Sequence, residues 1–123
     1  MKEERTVSMK TVVRQIDSVT VVDVSGRITL GEGCTQLREL IRGQLSQGNK
    51  HVLLNLGDVT YIDSSGIGEL VSSYTAVSNQ GGQLKLLNLT KKVQDLLQIT
   101  KLYTIFDVHD DEAKAITSFK ASA

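Results

Sequence analysis

From His51 to Val77 the chain spells a strand, a turn and a helix in direct succession, and no other stretch limits the fold so tightly. Val52-Leu53-Leu54-Asn55-Leu56 is an apolar run with turn residues behind it. That is the pattern of a strand buried on both faces. Gly57 to Gly66 is rich in turn formers. Apolar residues then recur at Ile67, Leu70, Val71, Tyr74 and Val77. This spacing is helical and lays one stripe on a sheet. Where the helix starts stands Asp63-Ser64-Ser65-Gly66. Its two hydroxyls lie beside the free N–H groups of a helix start, which favour negative charge.

The flanking chain supplies the rest of the sheet. Val7 to Ile16 and Val19 to Val24, joined at Asp17-Ser18, predict an antiparallel hairpin that ends at Ser25-Gly26. Leu30, Cys34, Leu37, Ile41 and Leu45 predict a helix, with Thr29 as its N-cap and Gly48-Asn49 closing it. Leu84 to Leu89 reads as a fourth strand. Thr90 caps a short helix with Val93, Leu96 and Leu97 inward. Ile105 to Val108 reads as a short fifth strand. Asp110-Asp111-Glu112 opens a last helix with Ala113, Ile116 and Phe119 inward.

Strands alternating with helices imply parallel pairing and right-handed crossovers. The expected fold is therefore α/β: a mixed sheet of about five strands, hairpin first and parallel strands after, packed with four main helices. Residues 1–123 are expected to form a single domain, with 1–6 flexible. Ligands gather at the carboxyl ends of such strands. Ser25 to Thr29, Asp58 to Gly66, Asn88 to Lys91 and His109 to Asp111 should share that edge.

Charge excludes several functions. Fourteen Lys and Arg balance fourteen Asp and Glu, so no broad attraction to nucleic acid or anionic lipid is expected. No apolar run reaches membrane-spanning length, and Met1 to Arg5 lacks the apolar core of a secretory signal. A cytoplasmic protein without membrane insertion is the expectation. Cys34 is alone and falls on an inward stripe, as a small core residue. His51 and His109 flank separate strands, so neither a metal nor a cofactor is expected.

Asp63-Ser64-Ser65-Gly66-Ile67-Gly68, behind Val52 to Leu56 and Asp58-Val59-Thr60-Tyr61-Ile62, resembles the STAS domain. More narrowly it resembles the bacterial anti-sigma-factor antagonists. The likeness extends to Val24-Ser25-Gly26-Arg27-Ile28, to Gly81-Gly82-Gln83-Leu84 and to Leu96 through Leu102. It spans nearly the whole chain in the family's order. The resemblance implies a β-sheet core with helices, and regulation rather than catalysis. An unphosphorylated antagonist binds an anti-sigma factor, often a GHKL-type serine kinase, and so frees a sigma factor. The kinase phosphorylates the first serine after the motif aspartate, here Ser64, and a metal-dependent serine phosphatase restores the antagonist. Many members carry an aspartate where this chain has Thr29, a departure that bears on partner choice. STAS domains also serve in lipid transport, in stress-signalling scaffolds and on anion transporters, so a binding module of another pathway is the alternative.

The partner-binding residues expected from this likeness are Asp63, Ser64, Ser65, Gly66, Gly68, Arg27, Thr29 and Lys91. On pattern alone the turn is as well explained by ordinary capping. Asp63 is expected as a cap. Two glycines in a first helical turn cost on the order of 1 kcal/mol each relative to Ala, and they admit the close approach of another chain. Arg27 and Lys91 should fall on the Ser64 edge, where each could meet a phosphate or a partner carboxylate. Two enzymes are set aside. A serine hydrolase needs Gly-x-Ser-x-Gly, and no glycine precedes Ser64 or Ser65 at the required position. A phosphoreceiver needs clustered acidic residues after its first strand to hold Mg²⁺, where Asp17 stands alone.

Overall fold

The computed structural model describes residues 9–121. Val7, Ser8 and the segment expected to be flexible, 1–6, lie outside them. Five strands form one sheet in the order β1-β2-β3-β4-β5. They are β1 (Met9–Ile16), β2 (Val19–Ile28), β3 (His51–Ile62), β4 (Gln83–Leu87) and β5 (Val108–His109). β1 and β2 are antiparallel and the remaining pairs are parallel. Four helices connect or follow them: α1 (Glu32–Ser46), α2 (Ser64–Asn79), α3 (Lys91–Ile99) and α4 (Glu112–Ala121). The hairpin turns at Asp17, which takes φ 57°, a conformation that Asp tolerates better than most residues.

Both faces of the sheet are covered. Val52, Leu53 and Leu54 are all fully buried. Val52 and Leu54 pack with Leu37 and Ile41 of α1, Leu70 and Val77 of α2, and Val93 and Leu97 of α3. Leu53 points the other way, into a smaller core with Val19, Val21, Leu87, Ala115, Ile116 and Phe119. That division explains why the central run is continuously apolar rather than alternating. Val71 and Tyr74 are half-buried at the margin of the larger core.

Several boundaries differ from the expectation. β2 does not end at Ser25-Gly26. Gly26 adopts φ 93° and the register with β3 shifts on either side of it. An irregularity of this kind is absorbed inside a strand. β3 likewise runs through the supposed turn to Ile62, because Asp58 to Ile62 pair with Ser25 to Ile28. α1 begins at Glu32 after Gly31, whose φ is 98°, with no side-chain cap. Thr29 is therefore not its N-cap, and Leu30 lies outside the helix, exposed. β5 covers Val108–His109 alone. Tyr103–Ile105 form a 3₁₀ turn, and Phe106 anchors the approach by packing edge-on against Tyr74. In α4 the inward alanine is Ala115, and Ala113 is exposed.

Other local signals are met as expected. Thr90 accepts the N–H of Val93 as the cap of α3. Gly48 ends α1 at φ 87°, and the next N–H, from Asn49, returns to the Gln44 carbonyl.

Candidate functional site

β2 and β3 finish side by side, with Arg27 opposite Tyr61 and Ile28 opposite Ile62. β4 stops pairing at Leu87, opposite Asn55. The end of β3 therefore projects beyond β4, and Asp63 and Ser64 stand at the tip of that projection. The carboxyl edge is stepped rather than level. In the step lies an open cleft of about 800 Å³, whose lining includes Asn55, Asp58, Asn88, Thr90 and His109. Three of the four segments expected at the edge contribute to it.

Asp63 converts strand into helix. Its N–H continues the ladder to the Ile28 carbonyl, and its extended backbone caps α2. One carboxylate oxygen accepts the N–H of Gly66 at 2.8 Å. The other accepts the N–H of Leu30 at 3.3 Å. A single side chain thus starts α2 and fastens the β2–α1 loop to it. Because Asp63 does the capping, Ser64 does not. Ser64 is the first residue of α2 and is exposed, and Ser65 is half-buried.

The two motif glycines do different things. Gly66 is buried, and a Cβ there would overlap the Ile28 carbonyl and the Ile62 side chain. Its lack of a side chain is required by this chain's own packing. Gly68 is exposed, with nothing within 4 Å of a would-be Cβ.

Arg27 is exposed at the same edge, 4.7 Å from the Tyr61 ring centroid. Lys91 is also exposed but turns along its own helix to Asp95 at 3.3 Å. The lysine brought to the edge is its neighbour Lys92, likewise 4.7 Å from the Tyr61 centroid. Thr29 is half-buried, and its carbonyl accepts the N–H of Cys34. Tyr61, Lys92 and the exposed Leu30 were missed by the sequence argument. Only the placement of Leu30 outside the α1 stripe could have been suspected, from the glycine that follows it.

One thiol lies near the turn. Burial pushes the Cys34 thiol up, and the carboxylates of Glu69 and Asp63 push it further, against Arg38. A thiol held protonated is a poor nucleophile. His109 contacts Asp107 at 3.0 Å and Ser118 at 3.4 Å, neither of them near the Ser64 turn in sequence. Among the described residues no three of His, Cys, Asp and Glu converge on a point that could hold a metal ion. Nor is any described helix long and apolar enough to cross a membrane.

Residues 10–115 match the model of the STAS domain. The chain belongs to the STAS domain family. Within the family it groups with anti-sigma factor antagonists. It is 32% identical over 96 residues to the anti-sigma-B factor antagonist of Bacillus subtilis, covering 78% of this chain and 86% of that one. The match to the anti-sigma F factor antagonist of Paenibacillus polymyxa is 28% identical and spans 58% of this STAS domain protein but only 61% of that relative's length. The fold is that of the Thermotoga maritima protein TM1081, with a TM-score of 0.82 at 23% identity over 89% of this chain and 94% of that one. It is also that of Bacillus SpoIIAA in its phosphorylated form, with a TM-score of 0.70 at 20% identity over 89% and 98%.

Proposed function

We propose that this STAS domain is an anti-sigma-factor antagonist that works by partner switching through Ser64. Unphosphorylated, it binds an anti-sigma factor that is also a GHKL-type serine kinase, and so releases a sigma factor. Phosphorylation of Ser64 by that partner ends the binding, and a metal-dependent phosphatase reverses the modification. The chain acts in the cytoplasm as one domain and performs no catalysis of its own. The docking surface comprises Asp63, Ser64, Ser65, Gly68, Arg27 and Thr29, with Gly66 shaping it from beneath and Lys91 at its margin.

The observation that carries this reading is the division of labour at the start of α2. Asp63 takes the capping role, which leaves the Ser64 hydroxyl exposed and without a hydrogen bond among the described residues. The solution of SpoIIAA, a fold neighbour, in a phosphorylated form supports it further.

Phosphate on Ser64 adds about −1.5 to −2 charges at pH 7. A helix N-terminus tolerates that charge, so the domain stays folded. The effect falls on the interface, where a dianion must be desolvated against a surface fitted to a hydroxyl. A loss of about 3 kcal/mol there weakens binding more than a hundredfold. The test is calorimetric titration of Ser64→Ala and Ser64→Asp into the kinase, with thermal melts of each alone. Ser64→Ala should bind as wild type and take up no phosphate. Ser64→Asp should melt as wild type and bind weakly. Equal affinities refute the switch, and phosphate on Ser64→Ala at the wild-type level moves the acceptor, Ser65 first.

A further inference from the structure

Two cations share one aromatic ring beside the Ser64 turn. The Arg27 guanidinium carbon and Lys92 Nζ each lie 4.7 Å from the centroid of Tyr61, so they are no further apart than twice that distance. The ring face attracts each cation. It holds in place two charges that repel one another.

Four of the chain's other cations are paired locally, and what sets Arg27 and Lys92 apart from the rest is that they share one ring. Arg14 is matched by Asp23 and Glu112, Arg38 by Glu69, Lys85 by Asp107 and Lys91 by Asp95. Among the described residues Arg27 and Lys92 have no carboxylate partner. The acidic residue closest to Tyr61 along the chain is Asp63, and both its oxygens are already occupied by the N–H groups of Gly66 and Leu30. The pair is a preformed positive spot with no ion-pair partner among the described residues, over Tyr61 on the strand that leads into the turn carrying Ser64. On a chain of zero formal net charge, two cations are too few to hold a nucleic-acid backbone, whose binding rests on many phosphate contacts. They suit a carboxylate on a protein surface, which would relieve their repulsion while pairing with both.

We infer that the partner docked at the Ser64 turn presents an acidic segment to the Arg27–Tyr61–Lys92 stack, and that this charge match selects which anti-sigma factor is bound. The inference rests on the partner-switching function proposed above and adds the chemistry of the partner's face. Charge matching of this kind acts mainly on association rate and on rejection of wrong partners.

The experiment uses the full chain and, as probes, each serine-kinase-type anti-sigma factor encoded in the source genome, purified singly. Wild type, Arg27→Glu with Lys92→Glu, and Arg27→Gln with Lys92→Gln are titrated at about 50 to 500 mM salt, a range over which screening of exposed charges becomes severe. Thermal melts confirm that all three fold. Wild-type affinity is expected to fall steadily with salt. The glutamate double variant should bind about 10–100-fold more weakly at low salt, chiefly through slower association. The glutamine variant should fall between them. Lysine substitutions in the partner's acidic segment should restore binding to the glutamate variant. A glutamate variant that binds as wild type at every salt concentration overturns the inference and leaves the partner-switching function standing. A wild type that binds none of the anti-sigma factors overturns both.

Discussion

The carboxylate of Asp63 holds the N–H of Leu30, thirty-three residues earlier, while it caps α2 through Gly66. The turn that presents Ser64 and the loop that presents Leu30 are therefore one mechanical unit. Asp63→Ala removes both hydrogen bonds. It should lower stability by about 1–2 kcal/mol, the upper part of the range for losing an N-cap. Asp63→Asn keeps an oxygen for Gly66 and should recover much of that loss. Urea denaturation midpoints of the three proteins decide it. An alanine variant as stable as wild type would show that the carboxylate holds nothing.

Gly66 and Gly68 should respond in opposite directions. Alanine at 66 must displace the Ile28 carbonyl or the Ile62 side chain. Overpacking of this sort costs about 1–3 kcal/mol, more than the gain of about 1 kcal/mol in helix propensity. Alanine at 68 meets open space and should stabilise by about 0.5–1 kcal/mol. Thermal melts of the two single variants, read as a pair, check the assignment. Two shifts of the same sign would contradict it.

Acid should unfold the protein partly through Asp23. The Arg14 guanidinium, 2.7 Å away, holds the Asp23 carboxyl below the usual carboxylate range, burial opposes this, and Asn55 adds a further hydrogen bond. Asp107 is lowered too, where hydrogen bonds from His109 and Lys85 outweigh burial. A carboxyl lowered by folding stabilises above its unfolded pKa of about 3.9 and loses that contribution as pH falls through the folded value. Stability should thus drop below about pH 4. In Arg14→Met it should start lower at pH 7 and fall less steeply, with Asp107 supplying part of the remaining slope. Denaturation midpoints between pH 7 and pH 2 test this, and parallel curves would rule out the Arg14 pairing.

The sequence made the layers legible because burial on two faces leaves its mark on residue type. The apolar run at Val52 to Leu54, the stripe of α2 and the capping residues Asp63 and Thr90 all mean what they look like. It failed where polar residues pair as strand. Asp58 and Thr60 have turn-like neighbours, yet β2 runs far enough to ladder with them past an irregularity at Gly26. The site was half legible. Ser64 and Arg27 follow from strand ends. Which of Lys91 and Lys92 faces Tyr61 depends on the rotation of α3, which two adjacent lysines cannot disclose.

Leu30 offers the last test, because its exposure and its position conflict. The side chain is 78% exposed, on a loop with its backbone tied to Asp63 and with Gly31 next to it at φ 98°. An unburied leucine contributes little to the fold, so Leu30→Ala should leave the melting temperature within a degree or so of wild type, as for other surface substitutions. At an interface the same side chain would lose its water. Full burial of a leucine is worth about 1.5–3 kcal/mol, which corresponds to roughly ten- to a hundredfold in affinity. Leu30→Ala should therefore weaken binding to the anti-sigma factor by about that factor, and Leu30→Asp by more, since a charge would then be desolvated beside the partner's proposed acidic face. Calorimetric titration against the same anti-sigma factor used for the Ser64 variants measures both. Full affinity in Leu30→Asp, with an unchanged melt, would place the docking surface away from the β2–α1 loop.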